Sequence, residues 1–195
     1  MKSIKHHLFA IILIILMVNS CKKDEKEKTT SLEIRIIDQY GMSVSGVSIK
    51  LYKSETDLGE QQNQVGSALT TNANGEVTFN NLDPVKYYWF AEKDCNNNVN
   101  GIYTTDALQS NETTVITTTV IETGSLELTN ESSYQFDVFI NGYYLGTADP
   151  FYVYSYIYVP AGDYSISVIQ VGGSIEKTYT GAIACGSKLS ISFPD

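Results

Sequence analysis

The sequence predicts an all-β protein: a Greek-key sandwich over residues 31–122, followed by a second small β domain over residues 124–195. Three observations predict it. Apolar side chains recur at every second position through most of the chain, the pattern of strands with one buried face and one wet face. Asn, Gly and Pro interrupt that pattern at short intervals, as turns require. No stretch carries the spacing of three and four that a helix of useful length needs for its apolar face. About seven strands fall in roughly the first ninety residues of the folded part, and strands with one wet face need a second sheet to cover the other.

The elements follow in order. Leu32, Ile34 and Ile36 alternate with Glu33 and Arg35, and Gln39-Tyr40-Gly41 turns the chain. Val47, Ile49 and Leu51 alternate with Ser48, Lys50 and Tyr52 in a second strand. The polar residues 54–64 read as a long loop or hairpin excursion without a helix, and 65–71 as a weaker strand. Asn72-Ala73-Asn74-Gly75 supplies a turn, because Asn and Gly tolerate positive φ, and Val77 and Phe79 form an inward pair after it. Residues 85–93 are the most apolar strand, with Tyr87, Trp89 and Ala91 on one side and Tyr88 and Phe90 on the other. An asparagine-rich loop at 94–101 follows, and Val115, Thr117, Thr119 and Ile121 close the first domain through their β propensity.

In the second domain Leu126 and Leu128 open a strand, and Tyr134, Phe136, Val138 and Ile140 alternate with Gln135, Asp137 and Phe139. Asn141-Gly142 is a strong hairpin signal. Asp149-Pro150 turns into a strand at 151–159, Pro160-Ala161-Gly162-Asp163 turns again, and strands at 164–171, 175–179 and 189–193 complete the chain.

These residues carry a resemblance. Gly41-Met42-Ser43-Val44-Ser45-Gly46-Val47-Ser48-Ile49-Lys50-Leu51, followed by Thr71-Asn72-Ala73-Asn74-Gly75-Glu76-Val77-Thr78-Phe79-Asn80-Asn81-Leu82, resembles the carboxypeptidase-regulatory-like, prealbumin-like sandwich also seen in Cna-B repeats. Where that family has Pro-Gly-x-Tyr, this chain has Pro84-Val85-Lys86-Tyr87. The resemblance implies a stalk, spacer or adhesive unit. Some relatives form a Lys-Asn isopeptide bond from a Lys on the first strand, and residues 32–37 contain no Lys. Residues 138–146 with 159–168 resemble the small PEGA-type β domain, whose relatives are extracytoplasmic accessories; Thr147 and Ala148 displace the Pro expected beside its second Gly.

The beginning of the chain implies export. Lys2, Lys5, His6 and His7 precede the unbroken apolar run 8–18, which is shorter than the ~20 residues a membrane-spanning helix needs, so 1–20 reads as a signal peptide. Val18-Asn19-Ser20-Cys21 resembles the bacterial lipoprotein processing box, and that resemblance implies acylation of Cys21 and a membrane partner through the acyl chains. Residues 21–30 then form a charged, flexible tether. The implied location is lipid-anchored and extracytoplasmic, at the outer membrane or surface of a Bacteroidetes-like cell.

Charge and residue types exclude several functions. All 22 acidic residues follow Cys21, and of the 13 basic ones Lys2 and Lys5 precede it, leaving a formal −11 beyond the leader. That balance, with Arg35 the single arginine, argues against a nucleic-acid partner, whose binding rests on phosphate neutralisation. His6 and His7 are the only histidines, so the body of the chain lacks the residue on which triads and most zinc sites depend. Cys95 and Cys185 remain as a pair once Cys21 is acylated: in an oxidising compartment they form a disulfide, and otherwise they are two separately buried small hydrophobes.

The expected function is a non-catalytic binding or structural accessory without cofactor or metal. Two sites are singled out. Tyr152, Tyr154, Tyr156 and Tyr158 share one face of strand 151–159, with Phe151, Val153, Ser155, Ile157 and Val159 buried on the other, so the tyrosines form a ridge for a protein or glycan partner, unless the ridge packs on the first domain or on Phe139 and Tyr143. Carbohydrate binding by that ridge is the alternative function. The loop Asp94-Cys95-Asn96-Asn97-Asn98-Val99-Asn100-Gly101, with Asp106, has oxygen ligands but not the spacing of a calcium loop, and reads as turns. A carboxylate-dependent hydrolase is a third class, but nothing in the spacing of Glu76, Asp83, Asp137 and Asp149 pairs them.

Overall fold

The computed structural model describes residues 29–101 and 103–194. The signal peptide, Cys21 and the tether up to residue 28 lie outside the described residues.

Strand β1 (Ser31–Ile37) buries Leu32, Ile34 and Ile36 and leaves Arg35 in water, as period two dictates. After a turn through Gly41, β2 (Ser48–Tyr52) adds Ile49 and Leu51 to the same core. Residues 54–64 differ from the loop expected: they hold a short helix, α1 (Glu55–Glu60). Ser54 caps it by accepting the Asp57 N–H, acids occupy its first turn, and Gln61 ends it in the left-handed region. Hydrogen bonds from Ser54 and Asn63 hold the Asp57 carboxyl below its ordinary value. The helix buries no residue completely, so its sequence carries no apolar periodicity to read.

The chain continues through β3 (Leu69–Thr70), β4 (Glu76–Phe79), β5 (Tyr88–Lys93), β6 (Asn96–Asn97) and β7 (Thr113–Thr119). One sheet has the order β4-β1-β7, with β7 parallel to β1. The other joins β3, β2, β5 and β6. Between them Leu32, Ile34, Ile36, Ile49, Leu51, Tyr87, Trp89 and Ala91 form the first core. Strand β7 turns Thr113, Val115 and Thr117 outward and Thr118 inward, so it contributes mainly through Ile116 and Thr118.

Strand β8 (Ile121–Asn130) crosses the position where the sequence suggests a domain boundary. Ile121 and Glu122 pair with β6, extending the sheet of the first sandwich. Beyond them the same strand pairs on one side with β11 (Val153–Pro160) and on the other with β14 (Lys188–Phe193). Facing that sheet is a four-stranded one of β9 (Phe136–Ile140), β10 (Tyr143–Ala148), β12 (Gly162–Gln170) and β13 (Glu176–Ile183), in the order β10-β9-β12-β13. Leu126, Leu128, Phe136, Val138, Ile166, Val168, Ile183 and Phe193 make the second core.

Candidate functional site

The most specific geometry in the molecule lies where the two sandwiches meet. Strands β6 and β14 lie along the same side of β8, one after the other, and Thr123 stands between them. Its N–H donates to the Cys95 carbonyl at 2.9 Å, and its own carbonyl accepts the Gly186 N–H at 2.8 Å. Its hydroxyl donates to Cys95 O at 2.9 Å and accepts from Asn97 Nδ2 at 2.7 Å. Cys95 and Cys185 are joined here, with Cα atoms 5.5 Å apart and ninety positions apart in sequence. Gly124 follows, and a Cβ on it would collide with the Ser187 and Ala184 carbonyls and with Ile183 Cγ2. The junction is hydrogen-bonded, cross-linked and too close for a side chain.

The tyrosine strand is reversed relative to expectation. Tyr154 and Tyr156 turn inward and pack against the second core, while Val153, Ser155 and Ile157 face solvent. The physical reason is size and amphipathy. A tyrosine ring covers more of an open cleft than a valine, and its hydroxyl still reaches the rim; the Tyr154 hydroxyl accepts the Asp149 N–H at 2.9 Å. Burial raises the Tyr156 phenol above its ordinary value, with Tyr154 adding to the effect. Tyr152 stays exposed and packs at a tilt against Tyr154, 4.9 Å between centroids.

Tyr158 goes elsewhere. The ladder of β11 with β8 slips between Ile157 and Val159, and Tyr158 takes a φ of 57°. Such a bulge re-aims one side chain, here onto Phe90 of the first sandwich at 5.3 Å between ring centroids. No continuous ridge of four rings therefore faces water. Phe90, expected on the outer side of its strand, is buried there, between this contact and α1.

Three openings border β11, one of them a cleft of about 290 Å³ at the junction itself, with Cys95, Asn97, Thr123, Ile157 and Tyr158 in its lining. A groove of about 480 Å³ between α1 and β11 is lined by Leu58, Phe90, Val99, Tyr103, Ile157 and Tyr158, among others. A smaller cleft of about 170 Å³ separates the edges of β10 and β11, with Leu128 and Val138 among its lining.

Apart from the Asn97 Nδ2 bond to Thr123, the side chains of Asn97 and Asn98 bond to the backbone. Asn98 accepts the Ala91 N–H and donates to the Trp89 carbonyl, and Asn97 Oδ1 accepts the Val99 N–H. Among the described residues no group of three or more His, Cys, Asp or Glu side chains could hold a metal ion. The four acids singled out in the sequence each have a different neighbour: Glu76 with Arg35, Asp83 with Lys53, Asp137 with Thr147, Asp149 with Gln135. On β1 the only basic residue is Arg35, paired with Glu33 and Glu76.

Two facing sheets around one core, with a parallel β1–β7 pair and an N-terminal strand in the centre of its sheet, define a prealbumin-type sandwich. The family model described as SpaA, prealbumin-like fold domain, matches residues 30–132, more than half of the chain. The chain belongs to that family. Among solved structures it is similar to a Streptococcal ancillary pilin, at 15% identity and a TM-score of 0.41 over 86% of this chain and 63% of that one. It is also similar to GBS52, the minor pilin of Streptococcus agalactiae, at 17% identity and a TM-score of 0.38 over 85% and 94%. A third is the Bacillus anthracis TIE protein, at 16% identity and a TM-score of 0.35 over 86% and 34%. The chain thus spans about a third of the TIE protein and under two thirds of the ancillary pilin. Superpositions of this quality carry no function across. No curated protein matches the chain in sequence.

Proposed function

We propose that this protein is a lipid-anchored extracytoplasmic accessory whose two sandwiches serve as a non-catalytic structural or binding module. The observation that carries the reading is the junction at Thr123, where one strand, β8, belongs to both sheets and a disulfide closes ninety residues. A disulfide suits a compartment outside the reducing cytosol, and a shared strand suits a body that holds its two halves at a fixed angle. The resemblance of Val18-Asn19-Ser20-Cys21 to the lipoprotein processing box supplies the anchor, with the membrane as partner through acyl chains on Cys21. The second sandwich is read as PEGA-like on its Asn141-Gly142 and Pro160-x-Gly162 turns, and the cell as Bacteroidetes-like.

The test is metabolic labelling with a fatty-acid analogue in a bacterial host. The wild-type chain takes up label and sediments with membranes, and Cys21→Ala loses both. Label retained by Cys21→Ala, or a wild-type chain that never carries label, contradicts the anchor.

A further inference from the structure

We propose that the free edge of β11 pairs with the same edge of a second copy of this chain, forming a two-fold symmetric dimer in which the sheet runs on from one molecule to the other. The pairing does not depend on the anchor proposed above.

The direction of the backbone groups makes the edge available. Asn130 N–H donates to the Tyr152 carbonyl at 3.0 Å, at the start of the antiparallel ladder of β11 with β8. Main-chain groups alternate sides along a strand. Those of Tyr152, Tyr154 and Tyr156 therefore face β8, and those of Val153, Ser155 and Ile157 face outward, on a strand that ends its sheet.

The regular part of that edge is bounded at both ends. Pro150 and Phe151, the latter at a φ of 58°, precede it; the bulge at Tyr158 and then Pro160 follow it. This leaves Val153 to Ile157, with Ser155 at the centre. Antiparallel pairing of two copies about Ser155 sets Ser155 against Ser155, Val153 against Ile157, and Tyr154 against Tyr156. The outward-facing groups of Val153, Ser155 and Ile157 all find partners. The side-chain rows match as well: Val153, 50% exposed, meets Ile157, 71% exposed, on the outer face, and tyrosine meets tyrosine on the inner one.

The self-complementary register about Ser155 favours a second copy, and charge permits it. The chain carries a formal −9, yet β11 reads VYSYIYVP without a charged residue. Glu127, the neighbour of Ser155 on β8, is already paired with Lys188 at 3.0 Å. Two copies therefore meet here without like-charge repulsion. Edges that avoid pairing carry charges or bulges. In this molecule β13 has Glu176 and Lys177, β4 has Glu76, and β10 is bulged between Tyr144 and Gly146. Strand β7 is also uncharged, but Val115 is its one large exposed apolar side chain. A ribbon of this length lies at the small end of interface sizes, so the dimer is concentration-dependent.

The experiment is cysteine cross-linking of the full chain under mild oxidation, read on non-reducing gels. Paired residues of the hydrogen-bonded kind stand about 5.5 Å apart at Cα, within disulfide reach. Ser155→Cys should give a covalent dimer well above the wild-type background, and Val115→Cys should not. Adding Ile157→Lys to Ser155→Cys places a charge on an already exposed position and should cut the dimer by at least about tenfold, with protease resistance showing that the fold is intact. Ser155→Cys at background, Val115→Cys cross-linking equally well, or dimer unchanged by Ile157→Lys each overturns the proposal.

Discussion

Phe90 and Tyr158, one from each sandwich, pack against each other at a tilt of 53° with ring centroids 5.3 Å apart. Phe90 is only 7% exposed, with Tyr158 of the second sandwich against its ring and α1 of the first sandwich beside it. The contact ties the stability of the first sandwich to the second.

Removing the ring tests that tie. Phe90→Ala should lower global stability by about 3 kcal/mol, the usual cost of deleting a buried aromatic. Denaturant unfolding followed by tryptophan fluorescence measures it through Trp89, which neighbours Phe90 on β5. Tyr158→Ala should cost less, because Tyr158 is only half-buried, and the double variant should fall short of the sum of the two.

The disulfide should matter through the length of chain it closes. Cys95→Ser with Cys185→Ser should cost about 2–5 kcal/mol, seen as a lower melting temperature that matches wild type after reduction. Cys185 is exposed, so a mild reductant should reach the bond in the folded state.

Two glycines should respond in opposite directions. Gly124→Val puts side-chain atoms against two carbonyls that belong to the backbone of the junction, and should cost at least the ~1–3 kcal/mol of an overpacked core. Gly59 sits in α1 with open space around its Cα, and Gly59→Ala should stabilise by about 0.5–1 kcal/mol. Thermal unfolding of the two variants beside wild type gives both signs.

The protein should be alkali-labile. Burial raises the phenols of Tyr156, Tyr164 and Tyr179 above 10.0. The hydrogen bond that Lys50 donates to Glu92, together with that carboxylate's charge, raises the Lys50 ammonium above 10.5. A folded pKa above the unfolded one means that the contribution is complete below the unfolded value and disappears as pH climbs through the folded one. Stability should therefore hold through neutral pH and fall above about pH 10. Tyrosinate absorbance should rise together with loss of β circular dichroism, and independent titration of the buried phenols in a folded protein would contradict this.

Much of the fold was legible because alternation has one reading. Leu32-Ile34-Ile36, Ile49-Leu51 and Phe136-Val138 place apolar and polar side chains on opposite faces, and burial follows directly. Where both faces are apolar or both are small, alternation stops deciding. Residues 151–159 offer Tyr on one face and Val and Ile on the other, and side-chain size beside an open cleft determines which turns inward. In β7, Thr and Val alternate with Thr and Ile, so Val115 faces water. Helix α1 was invisible because caps at Ser54 and Gln61, and not an apolar stripe, define it. The site at Thr123 left no local signal. It arises where β6 and β14 meet along β8, and only Gly124 and the two cysteines mark it in the sequence.

Hydrogen exchange at the junction tests most directly whether the two sandwiches form one body. The amides of Thr123, Ser125 and Ala161 are bonded to Cys95, Ser187 and Glu122 respectively. They should exchange as slowly as those of Trp89 and Val168, which lie in the two cores, because opening them requires global unfolding. Fast exchange at these three amides, with both cores still protected, would mean two domains on a hinge and would contradict the account.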